Sequence, residues 1–181
     1  KKAFLELGFQ EMTEIQKKSI PLIQEGKDVI GQSMTGSGKT AAFGFPLLEK
    51  MTYGHGIQAL ILVPTRELCE QVNEQLRKFS KYKRMNIFAV YGGISINPQI
   101  SNLRHADIVV GTPGRILDHL QRGTLNLQKV KVLVLDEADK MFDMGFVEDV
   151  HKIISQTPRQ RQTLLFSATI SSQVHEIVRN Y

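Results

Sequence analysis

The sequence has few of the features that mark secreted or membrane proteins. It contains a single cysteine, Cys69, so no internal disulfide can form and a reducing compartment is expected. No apolar run approaches the roughly 20 residues that a bilayer-spanning helix needs, and no signal peptide is recognisable. These absences argue against a disulfide scaffold and a membrane protein, and they favour an intracellular protein, cytoplasmic or nuclear.

The chain also lacks internal repeats, low-complexity tracts and a recognisable linker, so residues 1–181 are predicted to form a single domain. Hydrophobic residues make up 41% and charged residues 23%, which argues against disorder. The net charge of +5 permits an anionic partner without requiring one. Because the chain opens at Lys1 without Met and closes at Tyr181 in a helix-like stretch, we expect a piece of a longer protein. We also expect this piece to be monomeric.

Six short apolar runs divide the sequence, and each leads into Gly, Pro, Ser, Thr or an acid: 28–32, 59–64, 87–93, 107–113, 130–137 and 163–169. Most are followed by a segment with helical spacing. Continuous rather than alternating apolar strands indicate burial on both faces. The pattern predicts an α/β fold, a mostly parallel sheet with helices on both faces. In such sheets ligands bind at the carboxyl ends of the strands, where the polar residues are expected to gather.

Two smaller predictions concern local structure. Thr13 followed by Gln16 is typical of a helix N-cap, and Pro21 is predicted to open another turn. The histidines show no paired spacing of metal ligands and are expected at the surface, at positions 55, 105, 119, 151 and 175.

A glycine-rich segment, "SMTGSGKT" at 33–40, stands between the first apolar run and a helix-like segment. Backbone N–H groups of such a loop converge at a helix N-terminus and bind phosphate. Gly36 and Gly38 permit the tight backbone path, Lys39 would reach the outer phosphates, and the Thr40 hydroxyl would bind Mg²⁺. The strict P-loop pattern is missed only at its first position, where Ser33 replaces Gly.

Three acids follow the most apolar run of the sequence: Asp136, Glu137 and Asp139. With a triphosphate in the glycine-rich loop, Asp136 would hold Mg²⁺, partly through water, and Glu137 would orient and deprotonate the attacking water. The alternative is a solvated acidic helix N-terminus, which the helix dipole favours. This alternative is strongest for Asp139.

Further motifs follow in a fixed order: "TGSGKT", "PTRELCEQ" (64–71), "GG" (92–93), "TPGR" (112–115), "DEAD" (136–139) and "SAT" (167–169). Together they resemble the DEAD-box ATP-dependent RNA helicases, and "GFQEMTEIQ" (8–16) resembles their Q motif. The resemblance implies an N-terminal RecA-like P-loop NTPase domain. Motifs of the second RecA-like domain are absent from this chain, and that domain would be its partner in the intact protein.

The resemblance implies ATP and Mg²⁺ as ligands, with Gln16 reading the adenine edge and Phe9 packing near the base. The other expected nucleotide-binding residues are those of the glycine-rich loop: Ser33, Met34, Thr35, Gly36, Ser37, Gly38, Lys39 and Thr40. The metal would be held by Thr40 and Asp136. The catalytic residues would be Lys39, Asp136 and Glu137.

The resemblance also implies sequence-independent contacts to the RNA backbone. The residues expected there come from three motifs: Pro64, Thr65, Arg66, Gly92, Gly93, Thr112, Gly114 and Arg115. Coupling of the nucleotide site to strand separation would rest on Asp139, Ser167 and Thr169, through hydrogen bonds between the two hydroxyls and the acidic loop. With a second domain, such a protein would hydrolyse ATP and unwind short RNA duplexes.

Three other functions use the same motifs. A small-molecule kinase would need an acceptor pocket but no water-activating Glu137. A DNA translocase would not exploit the 2′-hydroxyl of RNA. A non-enzymatic RNA clamp would use ATP only to set its affinity.

Overall fold

The structure is a computed structural model that describes residues 11–34, 36 and 38–181. Three residues that the sequence assigns to the nucleotide site, Phe9, Thr35 and Ser37, lie outside the described residues, as does the start of the segment 8–16. The strands are β1 (Val29–Gln32), β2 (Ala59–Leu62), β3 (Ile87–Val90), β4 (Ile108–Gly111), β5 (Val132–Leu135) and β6 (Gln162–Ser167).

Helices separate these strands along the chain. They are α1 (Glu14–Gln24), α2 (Lys39–Lys50), α3 (Arg66–Phe79), α4 (Asn97–Leu103), α5 (Pro113–Arg122), α6 (Ala138–Asp143), α7 (Val147–Ser155) and α8 (Ser172–Asn180). The alternation of strand and helix that the sequence predicts is confirmed.

The six strands form one sheet in the order β1-β6-β5-β2-β4-β3, and every pair is parallel. The predicted α/β fold is therefore confirmed. Since all strands run the same way, their carboxyl ends share one edge of the sheet, and their amino ends share the opposite edge. We call these the carboxyl edge and the amino edge.

Both faces of the sheet are covered, as continuous apolar strands require. In β2, Ala59 and Ile61 belong to a core cluster with α1, α2 and α3, whereas Leu60 and Leu62 belong to a second cluster with α4 to α8. Successive side chains along a strand point to opposite faces of the sheet, so they pack into two separate apolar cores. This packing holds the loops at both edges in fixed positions.

The first helix departs from its sequence prediction at one point. Thr13 caps α1 in a capping box, in which its hydroxyl accepts from Gln16 N while Gln16 Oε1 accepts from Thr13 N. Pro21, however, lies inside α1, so the prediction that it opens another turn is wrong. Burial of Ile23 against α2 keeps the helix continuous past the missing N–H. None of the helices in the described part of the chain is both long and apolar enough to cross a membrane.

Cys69 gives a direct test of this packing. It is fully buried, and burial raises the pKa of its thiol to about 12. Since the thiolate is the reactive form, roughly one molecule in ten thousand carries it at pH 8. We expect a thiol reagent at pH 8 to modify Cys69 only after denaturation, as followed by mass spectrometry. Complete modification of the native protein within minutes would contradict this core.

Candidate functional site

The glycine-rich loop and the acids meet at the carboxyl edge because of the strand order. The loop follows β1, the acids follow β5, and β6 lies between these two strands. Lys39 is the first residue of α2, and Asp136 directly follows β5. Lys39 and Asp136, which are 97 residues apart in the sequence, are thereby brought into side-chain contact.

The central contact is a buried cluster of one cation and two anions. Lys39 Nζ lies 3.1 Å from Asp136 Oδ1 and 3.3 Å from Glu137 Oε1. The three residues are exposed by only 6%, 0% and 7%. One ammonium therefore opposes two carboxylates, and the cluster carries one more negative than positive charge when all three groups are ionised. The exposed Lys140 adds a contact to Glu137 Oε1 at 3.4 Å.

Asp136 bears the features of a cation ligand. Burial raises the pKa of its carboxyl, and the nearby Lys39 opposes that effect. Among the described residues, neither of its buried oxygens has a hydrogen-bond partner of good geometry. A buried oxygen without such a partner is costly, and a bound cation would satisfy it. Half-buried Thr40 offers a hydroxyl from the first turn of α2.

This donor set fits Mg²⁺ better than a transition metal. In residues 11–34, 36 and 38–181, no three His, Cys, Asp or Glu side chains converge as metal ligands. Mg²⁺ is commonly held by one or two protein oxygens together with phosphates and water. Asp136 and Thr40 provide that number of protein oxygens.

Glu137 has an unusual backbone conformation. Its φ and ψ are 51° and 50°, and it is the one residue other than glycine with positive φ in the described part of the chain. Such a conformation costs on the order of 1–3 kcal/mol and is concentrated at functional sites. It lets the chain turn from β5 into α6 within two residues and directs the Glu137 carboxylate toward Lys39.

The glycine-rich loop is joined to the first helix through Gly38 and Gln16. Gly38 has a φ of 84°, and a Cβ placed there would lie 2.6 Å from Gln16 Nε2. Gln16 Nε2 donates to Gly38 O at 3.1 Å, and its Oε1 accepts from Thr13 N at 3.0 Å. Gln16 is completely buried. Its amide ties the helix cap to the loop, and the predicted adenine contact stays a prediction.

A cavity of about 320 Å³ opens beside the loop. One wall is formed by Gly36, Gly38, Lys39, Thr40 and Glu137, and the other by α3. Its position at the start of α2 places it where a helix N-terminus attracts anions. Ser33 and Met34 are not part of its lining; Met34 is exposed, and Ser33 N donates to Ser167 O at 3.0 Å.

The acidic loop is hydrogen-bonded to the end of β6. Ser167 Oγ accepts from Asp139 N at 3.2 Å, and Thr169 Oγ1 donates to Asp139 Oδ2 at 3.1 Å. Partial burial acts to raise the pKa of Asp139, but the hydrogen bonds from Thr169, Lys140 and Ser167 outweigh it and lower that pKa. The three residues expected to couple the site to its substrate thus touch one another. Their coupling role stays a prediction.

A second group of predicted residues follows β2. Thr65 caps α3 by accepting from Leu68 N at 3.2 Å, and buried Pro64 precedes it. Arg66 is exposed and lies 5.0 Å from the centre of the Tyr91 ring, whose hydroxyl donates to Glu70. The aromatic ring and the carboxylate hold the guanidinium at this edge.

The third group is built around Arg115 on α5. Its Nη1 donates to Gln99 Oε1 and its Nη2 donates to Ile94 O, each at 3.0 Å. Gln99 Nε2 donates to Tyr91 O at 2.9 Å. Gln99 is buried and fixes the arginine, although nothing in its sequence neighbourhood indicated a role. With Asp118 Oδ2 4.0 Å from its Nε, the guanidinium is held on three sides, and the side chain is 13% exposed.

His119 completes this network and corrects the sequence prediction. It is fully buried, so the expectation that all five histidines lie at the surface is wrong. Nε2 lies 3.0 Å from Gln99 Oε1, and Nδ1 lies 2.7 Å from Thr124 Oγ1. Desolvation lowers the pKa of His119. A neutral ring with its proton on Nε2 satisfies both partners, because Gln99 Oε1 can only accept.

The remaining predicted residues lie beside these arginines. Gly92 and Gly93 are exposed and follow β3 after Tyr91. A Cβ placed on either would meet no atom of the described residues within 4 Å, apart from its own chain neighbours. Thr112 and the exposed Gly114 flank the start of α5. The ends of β2, β3 and β4 therefore present two arginines and an open glycine surface next to the acidic cluster at the same edge.

Comparison with known proteins bears on this arrangement. A family model described as DEAD/DEAH box helicase matches residues 13–177. The chain is similar to the DEAD-box ATP-dependent RNA helicase CshA of Geobacillus kaustophilus, with 51% identity over 99% of this chain and 39% of the relative. It is 54% identical to the ATP-dependent RNA helicase CshA of Listeria monocytogenes, over 94% of this chain and 33% of that protein.

Solved structures agree with these sequence relatives. A DEAD box protein from the hyperthermophile Methanococcus jannaschii superposes with a TM-score of 0.97 at 47% identity, covering 99% of this chain and 50% of that one. A hypothetical ATP-dependent RNA helicase from Sulfolobus tokodaii gives a TM-score of 0.93 at 43% identity, with coverage of 99% and 53%. The chain thus spans about half of these structures and under two fifths of the curated relatives.

The contact between Gly38 and Gln16 generates a prediction with an internal control. Gly36 also has a positive φ, of 82°, but a Cβ there meets no atom of the described residues within 4 Å. Gly36→Ala should therefore cost only the backbone strain, roughly 1–2 kcal/mol. Gly38→Ala should cost roughly 1–3 kcal/mol more, because its methyl group overlaps the Gln16 amide. Urea unfolding of both variants measures the difference, and equal losses would contradict this contact.

Proposed function

Since the chain belongs to the DEAD/DEAH box helicase family, we propose that it binds ATP with Mg²⁺ at the buried Lys39 cluster and holds single-stranded RNA at the neighbouring arginines. The observation that carries the proposal is the contact of Lys39 Nζ with both Asp136 and Glu137, at 3.1 and 3.3 Å. These are the cation and the two anions that a phosphate-binding and water-activating site requires.

The cluster implies an exchange of partners when the nucleotide binds. In its absence, the Lys39 ammonium offsets the charge of the two carboxylates. A triphosphate is a stronger partner for that ammonium, and Asp136 then needs another cation. Bound Mg²⁺ would neutralise phosphate charge and polarise the terminal phosphoryl group. Asp136 and Thr40 would hold it, and Lys39 would bind the phosphates.

Glu137 would act on water once the ammonium has moved away. Its carboxylate would orient a water molecule and accept its proton, which general-base catalysis requires. The low exposure of the cluster keeps bulk water from weakening these interactions. Hydrolysis would lead Asp139 to change its hydrogen bonds to Ser167 and Thr169, which offers a physical route from nucleotide to RNA.

Arg66 and Arg115 would bind RNA phosphates without reading bases. Each is held by neighbouring side chains, so less side-chain entropy is lost on binding. Gly92 and Gly93 leave room for a sugar-phosphate backbone. With the second RecA-like domain that the resemblance implies, the full protein would couple ATP hydrolysis to separation of short RNA duplexes. Residues 1–181 without a second domain should bind ATP weakly and hydrolyse it slowly.

The first test measures nucleotide binding by fluorescence titration with an N-methylanthraniloyl ATP, with and without Mg²⁺. Lys39→Ala should weaken binding at least about tenfold, because a charge-assisted contact to phosphate is lost. Asp136→Asn should abolish the gain that Mg²⁺ gives, while leaving the Mg²⁺-free affinity unchanged or higher. Glu137→Gln is the matched control, since it neutralises the adjacent carboxylate and should keep the Mg²⁺ effect. An equal Mg²⁺ effect in the Asp136→Asn variant would reject Asp136 as the metal ligand.

The kinase alternative is separated by Glu137→Gln in the full-length protein. A hydrolase that uses Glu137 as its base should retain bound ATP and lose turnover by a factor of about 10² or more. A phosphotransferase would keep most of its transfer activity, because its acceptor supplies the nucleophile.

The second test concerns RNA. Arg115→Gln should lower the affinity for single-stranded RNA of any sequence and reduce the salt dependence by about 0.7 in log–log slope. Gln99→Leu should have a smaller effect of the same kind, because Arg115 remains but loses its anchor. Arg179→Gln, an exposed arginine on α8, serves as the control. Fluorescence anisotropy with labelled oligonucleotides measures all three, and equal binding by Arg115→Gln and the control would contradict the RNA contact. A matched DNA strand tests the DNA alternative in the same assay.

A further inference from the structure

The amino edge of the sheet, opposite the proposed ATP site, carries an unusual charge distribution. Six loops lead into the six strands at this edge: 25–28, 51–58, 80–86, 104–107, 123–131 and 156–161. We call them together the amino-edge surface. They contain nine Lys and Arg residues against three Asp and Glu residues, a net charge of +6. The whole chain carries +5, so the rest of the molecule is close to neutral.

The acids of this surface do not neutralise it. Glu25 and Asp28 lie in the loop before β1, at the end of the sheet, and Glu25 pairs with Lys27 at 3.1 Å. In the other five loops, all within the described residues, Asp107 is the single acid and is 1% exposed. Its oxygens accept from Gly54 N at 2.9 Å and Asn86 N at 2.8 Å. From β6 to β3 the surface therefore presents cations without an exposed acid.

Helix dipoles do not explain all of these cations. Helix C-termini point to this edge and favour Lys and Arg, but the effect falls off within the last turn. Lys129 and Lys131 come seven and nine residues after α5 ends at Arg122. Both are exposed. Within the described part of the chain neither lysine lies at ion-pair distance from an acid, and an external anion would stabilise their charge.

Aromatic rings and concave space accompany the cations. Tyr82 and Tyr53 are 50% and 39% exposed, and the Arg84 guanidinium lies 4.1 Å from the centre of the Tyr53 ring. A cavity of about 620 Å³ lies at this edge, with Lys129 and Lys131 in its wall. Exposed rings next to cations provide stacking for unpaired bases and contacts for phosphates.

We propose that the amino-edge surface is a second binding site for single-stranded RNA, distinct from the arginines of the carboxyl edge. Its cations bind backbone phosphates, and its tyrosines stack on unpaired bases. The choice of RNA among polyanions rests on the proposed function. Six parallel strands span about 24 Å at a spacing of about 4.8 Å, so several consecutive phosphates fit along the surface. An RNA held there would stay on the same domain as the ATP and RNA sites proposed for the carboxyl edge.

The test uses two variants with the same net charge. Arg104→Gln/Lys129→Gln/Lys131→Gln removes three exposed cations of the amino-edge surface. Lys17→Gln/Lys18→Gln/Arg179→Gln removes three exposed cations from α1 and α8. Circular dichroism melts verify that both fold. A labelled uridine 30-mer is then titrated by fluorescence anisotropy over a series of salt concentrations.

The amino-edge variant should bind the RNA more weakly than its control and lose about 2 in the slope of log affinity against log salt, which is three phosphate contacts at about 0.7 each. Tyr82→Ala should lower the affinity at least about fivefold with no change in slope, because stacking is not electrostatic. Equal affinity and slope in the two triple variants would overturn the proposal.

Two further outcomes separate this site from its alternatives. If Arg115→Gln lowers RNA binding and the amino-edge variant does not, the proposed function stands and the second site is rejected. Vesicles containing 30% phosphatidylserine are tested in parallel. Loss of vesicle binding with unchanged RNA binding in the amino-edge variant would reject RNA in favour of an anionic membrane.

Discussion

The candidate site at the carboxyl edge depends on one buried ammonium, that of Lys39, between the carboxylates of Asp136 and Glu137. Removing three charges from water is costly, and their attraction repays that cost only when the geometry is good. Here the geometry is set by strand order, because β6 lies between the strand that precedes Lys39 and the strand that precedes Asp136. The backbone strain at Glu137 and the contact of Gly38 with Gln16 are local consequences of bringing these groups together. The fold therefore holds Asp136, which would bind a cation, and Lys39, which would bind an anion, at one place.

Much of this could be predicted from the sequence. Continuous apolar runs followed by Gly, Thr or an acid predict parallel strands and the edge at which their ends meet, and the structure confirms the fold. The glycine-rich loop and the acids are local patterns, so they could be located without coordinates. Their contact could be inferred as well, since strand ends in a parallel sheet share an edge.

Other features depend on contacts that no local pattern encodes. The N-cap role of Gln16 follows from its spacing to Thr13, but neither its complete burial nor the bond of its amide to Gly38 does. His119 and Gln99 look like ordinary polar helix residues until α5 and α4 bring them together behind Arg115. The positive amino edge is scattered over six loops, and it becomes visible only when the strand order is known. In each case residues that are far apart in the sequence come together only in the folded chain.

We propose that the two edges of the sheet have different tasks: the carboxyl edge would bind the nucleotide, its metal and RNA phosphates, and the amino edge would bind further RNA. We propose that Lys39 leaves the carboxylates when the nucleotide binds. A crystal structure with Mg²⁺ and a non-hydrolysable ATP analogue measures this directly. We expect Lys39 Nζ to move from 3.1 Å to beyond ion-pair distance of Asp136 and to contact a phosphate, with the metal beside Asp136. A nucleotide bound elsewhere, with Lys39 still between Asp136 and Glu137, would contradict it.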